Sequence, residues 1–341
     1  MKIFIQLLFL ALFLSACISS ERKEGATQDK LIIYAAFEHE QVDEYMRAFK
    51  DLYPQVETEL MIDSHGVVMA KLLAERQNPR ADVVFGLSVF NVLQLKELEL
   101  LAPLQLGNVG EFKDGFRDKD APPYYVGLSG VESVIIVNEK ELQKRDLPIP
   151  SSYKDLTNPV YKGLITMPNP TSSGTGFLSV AGWMELYGEE GAWEFMRNLD
   201  SNIAFYTHSG SKPARMAASG EYPVGISLGY RGHKMLKDGQ SIRMIFPSEG
   251  YGWDLESLAL IKKNEIKQSA KDFIDFAASK DAMSLYANNN ALTAITTDKE
   301  PPLGYLKEQK NLSVDFERFA KERDAILKKW DELFKNKTEA K

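Results

Sequence analysis

Most catalytic chemistry needs side chains that this chain has in short supply. Its one cysteine, Cys17, excludes an internal disulfide and a cysteine-cluster metal site. The four histidines, His39, His65, His208 and His233, are scattered and form no His-Glu-x-x-His pairing. No Gly-x-x-x-x-Gly-Lys-Ser/Thr loop is present, which argues against nucleotide hydrolysis. Ser-x-x-Lys occurs at 151–154 and at 209–212, but without the Ser-Asp-Asn and Lys-Thr-Gly companions of serine acyl-enzymes. Positive charge is not in excess either: 41 Lys and Arg stand against 48 Asp and Glu, a net charge of −7. Nucleic acid is therefore not an expected partner, and no cofactor or catalytic residue is expected.

What is present begins with "MKIFIQLLFLALFLSACISS". Lys2 and the largely apolar stretch from Ile3 to Leu14 read as a signal segment over residues 1–16, too short to span a bilayer comfortably. "LSAC" resembles the lipobox of bacterial lipoproteins, which implies lipidation of Cys17. Residues 17–29 then read as a lipidated cysteine and a polar tether. The remainder is 44 % apolar and 26 % charged over the whole chain, an ordinary globular composition.

Strand-like and helix-like segments alternate after the tether. "KLIIYAAF" precedes an amphipathic stretch with Val42, Tyr45, Met46 and Phe49 at helical spacing and Pro54 as its stop. "VETELMI", "SHGVVMAKLLAERQNP" and "ADVVFGL" continue the alternation, so parallel sheets flanked by helices are expected. "VGLSGVESVIIV" and "SIRMIFPSEGYGWDLESLALI" read as further strands. Helices are expected from Lys267 onward, and the Glu/Lys mixture after Asn311 reads as a solvated helical face.

Two loops stand out. "NPTSSGTGF" at 169–177 places Thr171, Ser172, Ser173 and Thr175 before a helix, more hydroxyls than one cap needs. "YTHSGSKPARMAASG" repeats the device with Ser209 and Ser211, with Pro213 suited to a first helical turn and Gly220 to its end. Each loop alone fits a plain N-cap. Together, at strand-to-helix junctions of one lobe, they suit a tetrahedral oxyanion held by hydroxyls, amides and helix dipoles. Tyr230 and Arg231 follow another strand, and the arginine offers a forked donor. Glu38, Asp63, Asp254 and Glu256 lie near predicted strand ends and suit a ligand amine or other distal group. Capping or solvent exposure is the competing role for each.

These residues carry a resemblance. "PNPTSSGTGF", "YTHSGSKPARMAASGEYPVGIS", "EGYGWDLES", "YAAFEHEQ" and "DSHGVVMAKLLAERQNPRADVVFGL" are similar to the solute-binding proteins of 2-aminoethylphosphonate ABC importers, within the class that includes ferric-iron and hexose-phosphate binders. The resemblance implies a type 2 periplasmic-binding-protein fold: two α/β lobes, mainly parallel sheets flanked by helices, and two crossing hinge strands. It implies lobe 1 over 30–128 and 245–300, lobe 2 over 129–244, and C-terminal helices over 301–341. It further implies a phosphonate site of Ser172, Ser173, Thr175, Ser209, Ser211, Tyr230 and Arg231. Partners would be an ABC permease and its ATPase, a small anionic or zwitterionic solute, and a membrane through the N-terminal lipid. The protein would be a monomer facing the periplasm or cell exterior. The chain differs from members that carry an acid before the Tyr–Arg pair, where it has Gly229. The alternatives are a ferric-iron receptor with Glu38, Asp63 and Tyr230 as ligands, a hexose-phosphate receptor, and, more distantly, a secreted phosphate-ester hydrolase.

Overall fold

A computed structural model describes residues 30–308 and 310–340. The signal segment, Cys17 and the tether lie outside the described residues. Within them, no helix is long and apolar enough to cross a membrane.

The first five elements alternate as the sequence predicts: β1 (Leu31–Ala35), α1 (His39–Leu52), β2 (Thr58–Ile62), α2 (His65–Ala74) and β3 (Val83–Ser88), followed by α3 (Val89–Glu97). β1 pairs in parallel with both β2 and β3. Val42, Tyr45, Met46 and Phe49 form the buried stripe of α1, which presses onto this sheet. Phe49 meets Phe273, which in turn meets Phe85 of β3, so a chain of edge-on rings ties helix to strand.

After the short β4 (Leu101–Ala102) comes β5 (Tyr125–Val137), thirteen residues and all buried. Then follow α4 (Glu139–Lys144), β6 (Ile165–Pro168), α5 (Gly174–Asp200), β7 (Ile203–Thr207), α6 (Lys212–Ser219), β8 (Val224–Leu228), α7 (Gly229–Lys237) and β9 (Arg243–Ile245). The chain closes with β10 (Trp253–Ile261), α8 (Gln268–Ala277), α9 (Lys280–Tyr286), β11 (Leu292–Thr293) and α10 (Phe316–Phe334).

The strand order β2-β1-β3-β10-β5-β8-β6-β7 divides at β5. Tyr125–Glu132 pairs with β10 on the first-lobe side, whereas Ser133–Val137 pairs with β8 on the second. The return crossing lies between β9, which pairs with β5 in the second sheet, and Trp253 of β10 in the first. The two-lobed α/β architecture with crossing strands is thus as expected. The crossing strands add antiparallel pairs to sheets whose other members, such as β6 with β7 and β8, run parallel.

The C-terminal stretch differs from expectation in two ways. Residues 301–308 and 310–315 form no helix; the stretch opens on Pro301 and Pro302, and a proline pair cannot donate the amides a helix needs. α10 is also not simply a solvated face, because Phe319, Ile326, Trp330 and Phe334 are buried. Its apolar stripe packs across both lobes: Phe90 of α3 contacts Phe177 of α5, Phe316 and Phe319.

Candidate functional site

The two hydroxyl-rich loops leave neighbouring strands side by side. β6 and β7 are parallel and in register at Pro168 and Thr207, and Asn169 N–H donates to Thr207 O at 2.8 Å. The Asn169 side chain shapes the first loop by accepting from Thr171 N–H at 2.8 Å. Helix α5 then packs so tightly on its own loop that a Cβ at Gly176 would lie 2.7 Å from Pro168 O.

The loop tips converge. A Cβ at Gly210, in the second loop, would stand 2.3 Å from Thr175 Oγ1 and 3.1 Å from Ser173 Oγ of the first. Neither loop uses its serine as an ordinary cap, since the N-cap positions Ser173 and Ser211 make no side-chain cap hydrogen bond. The hydroxyls of Ser173 and Thr175 therefore face the second loop while the first-turn amides of α5 and α6 go without a side-chain acceptor. Ser209 and Ser211 share a hydrogen bond at 3.2 Å, and Ser211 Oγ accepts from Arg215 at 2.9 Å. Ser172 Oγ lies 3.4 Å from His208 Nδ1, and the His208 Nε2 is buried without a partner.

Two residues near the C-terminal end brace this pair of loops. Thr338 Oγ1 accepts from Asn169 Nδ2 at 2.9 Å, at the root of the first loop. The Glu339 carboxylate accepts His208 N–H at 2.6 Å and pairs with Lys212 in the second.

The first lobe meets the first loop directly. A Cβ at Gly66 would lie 3.3 Å from Ser172 O, and one at Gly174 would lie 2.5 Å from His65 Cδ2. His65 Nδ1 accepts from Ser88 N–H at 3.0 Å, which leaves the ring proton on Nε2. Burial, reinforced by Arg323, holds its pKa down to about 4, so the ring is neutral near pH 7. The sequence reading passed over His65; its position at the opening of "SHG", between a strand and a helix, was the available signal.

Acidic groups gather on the other side of the cleft. Arg231, in the first turn of α7, reaches from the second lobe to Glu38 at 2.5 Å and to Glu40 at 3.5 Å, both in the first. Arg231 and Glu38, expected at opposite ends of a ligand, are thus joined to each other. Tyr230 is buried beside them, and its phenol pKa is raised chiefly by that burial. Glu256 accepts from Ser129 Oγ and from Asn290 Nδ2, the latter at 3.1 Å.

Two of the expected acids have other work. The Asp254 carboxylate accepts Val89 N–H at 3.0 Å and Leu255 N–H at 2.7 Å, so it caps α3 where the sequence reading has it meeting a solute. Asp63 is exposed and accepts from Ser64 N–H at 2.7 Å, a local turn contact. Among the described residues, no three His, Cys, Asp or Glu side chains are grouped to hold a metal ion.

Burial pushes the Asp254 carboxyl up to about 7 and those of Glu132 and Glu256 up to about 8. Groups whose folded pKa lies above the unfolded value bind more protons when folded, so stability falls as pH rises through that window. The unliganded protein is therefore expected to melt at a lower temperature at pH 8.5 than at pH 5.5, as read by thermal denaturation. A flat or rising trend would mean that these carboxyls are not desolvated.

Two lobes, crossing strands and a polar cleft between them define the solute-binding receptors that close around a small molecule. The chain belongs to the bacterial extracellular solute-binding protein family, whose model matches residues 78–322. It is 30 % identical over 314 residues to an uncharacterized protein of Haemophilus influenzae, covering 88 % of this chain and 89 % of that one. It is similar to the periplasmic binding protein AfuA of Actinobacillus pleuropneumoniae, solved with exogenous fructose-6-phosphate bound: TM-score 0.83, 30 % identity, 90 % of this chain and 98 % of that one. The apo ferric ion-binding protein A of Pasteurella haemolytica shares the fold, with a TM-score of 0.76 at 21 % identity over 92 % of this chain and 99 % of that one. The protein is thus an extracytoplasmic solute-binding component of an ABC importer, working with a permease and an ATPase. Members of this family bind and deliver solutes rather than transform them, which sets the hydrolase alternative aside.

Proposed function

We propose that the protein is the receptor for a small phosphonate, 2-aminoethylphosphonate or a close analogue, anchored to the membrane as a monomer through a lipid on Cys17. The observation that carries this reading is the approach of Gly210 to Ser173 and Thr175, which brings two helix N-termini to one spot. Such a spot supplies amides, hydroxyls and partial positive charge, the requirements of a tetrahedral oxyanion. Ser172, Ser209 and Ser211 complete the cradle. Lobe 1 takes in residues 30–128 and 245–300, and lobe 2 residues 129–244.

Ser173 and Ser211 are buried, so the solute enters when the lobes part and is enclosed when they shut. AfuA, similar over most of its length, was solved with a sugar phosphate, which supports a phosphoryl-like group and keeps a hexose phosphate as the second reading. Iron ranks below both, because Arg231 already occupies Glu38 and would repel Fe³⁺.

Titration calorimetry tests the reading. Micromolar or tighter binding of 2-aminoethylphosphonate is expected, with weaker or no heat from glucose 6-phosphate and ferric citrate. No heat from the phosphonate, with clear binding of either competitor, would overturn the ligand assignment.

A further inference from the structure

Glu132 is the last residue of β5 to pair on the first-lobe side, at the point where the strand crosses between lobes. Its side chain is fully buried, and among the described residues the Tyr305 hydroxyl is the one side-chain group that interacts with its carboxyl as a hydrogen-bond partner. The site is not a random corner of the core. A Cβ at Gly229 would lie 3.2 Å from Glu132 Oε2 and 2.7 Å from Tyr305 Oη. Gly229 opens α7 and is followed at once by Tyr230 and Arg231, the residues that reach across the cleft to Glu38 and Glu40. The absent side chain at 229 is what leaves room for the Glu132 carboxyl. The Tyr305 hydroxyl stands alongside as the carboxyl's one side-chain donor, and Asn290 Oδ1, near Glu256, is buried and unpartnered.

A buried carboxyl with a single side-chain donor still has acceptor capacity to spare, and leaving it unfilled in a dry interior is costly. Cations are short there as well. Arg231 is engaged by Glu38 and Glu40, and burial without a facing cation keeps Glu132 and Glu256 largely protonated near pH 7, ready to ionise beside an added positive charge. A group with several donors, no acceptor and one positive charge would correct both deficits, and a primary ammonium has those properties.

We propose that Glu132 is a specificity-determining residue that receives the ammonium end of the solute whose oxyanion end occupies the loop cradle. The inference rests on the phosphonate reading above and adds to it the residue that selects an amine. Glu256 neighbours the subsite, held there by Ser129 and Asn290. Asp63 and Asp254 take no part, being committed to backbone amides.

A ligand-by-variant cycle separates contact from structural damage. Wild type, Glu132→Gln and Glu132→Asp are each titrated with 2-aminoethylphosphonate, 2-hydroxyethylphosphonate and ethylphosphonate. Glu132→Gln is expected to weaken 2-aminoethylphosphonate by about tenfold or more while leaving ethylphosphonate within about twofold. Glu132→Asp is expected to keep part of the preference for the amine. Equal losses for all three ligands would reduce Glu132 to a structural residue and overturn the inference. Preference for the hydroxyl compound over the amine in wild type would overturn the ammonium assignment. If wild type bound none of the three, the phosphonate reading itself would fail, an outcome distinct from selective failure of the amine.

Discussion

Gly210→Ala is expected to weaken oxyanion binding by about a hundredfold while leaving the fold intact, the scale of losing one or two hydrogen bonds to a charged group. The added methyl would stand 2.3 Å from Thr175 Oγ1 and 3.0 Å from Thr175 Cβ. The first contact is not tolerable and the second is tight, and Thr175 sits in the first turn of a packed helix, so relief requires its hydroxyl to turn away or the loops to move apart. Gly210 does not occupy the left-handed backbone region, so alanine brings no strain of its own. Because the clash is present without solute, some melting temperature should be lost along with ligand affinity. Gly107→Ala serves as the control, because a Cβ there meets nothing within 4 Å. Equal affinities for the Gly210 variant and wild type would show that the two tips do not act on one guest.

Arg231→Ala should produce the other large loss. Arg231 is 8 % exposed, but the Glu38 side chain is about a quarter exposed and that of Glu40 half, so the full penalty of breaking a buried pair does not apply. A loss of about 2 kcal/mol, some thirtyfold in affinity, is the expected scale. Because the pair joins the lobes, the loss should act on closure, shifting the population toward an open form that small-angle scattering detects. A companion variant fixes the role of the arginine. If Arg231 ties the lobes together, Glu38→Gln weakens binding as well. If Arg231 instead grips the phosphonate, releasing it from Glu38 leaves affinity unchanged or raises it.

Much of the architecture could be read from the chain because it is local. The apolar runs of β1 and β3 and the helical spacing of Val42, Tyr45, Met46 and Phe49 each report their own environment. The serine and glycine loops were visible for the same reason. What could not be read depends on distant partners. Whether Ser173 caps its helix or faces Gly210 is decided by how β6 and β7 align, a contact some 35 residues apart in sequence. Asp254 and Glu256 look alike in "GWDLES", yet one meets the start of α3 and the other meets Ser129 and Asn290. Glu132 went unremarked inside a strand recognised by its apolar pattern, although one acid among so many apolar neighbours is itself a signal. The buried stripe of α10 was obscured by its Glu/Lys content, and its packing against Phe90 needed both lobes in place.

The most direct measurement is the crystal structure of the protein with 2-aminoethylphosphonate. Phosphorus density is expected between the first turns of α5 and α6, with its oxygens within hydrogen-bond distance of the Ser173 and Thr175 hydroxyls. A ligand lodged elsewhere in the cleft, with those hydroxyls still facing Gly210 alone, would contradict the convergence of the two loops on one oxyanion.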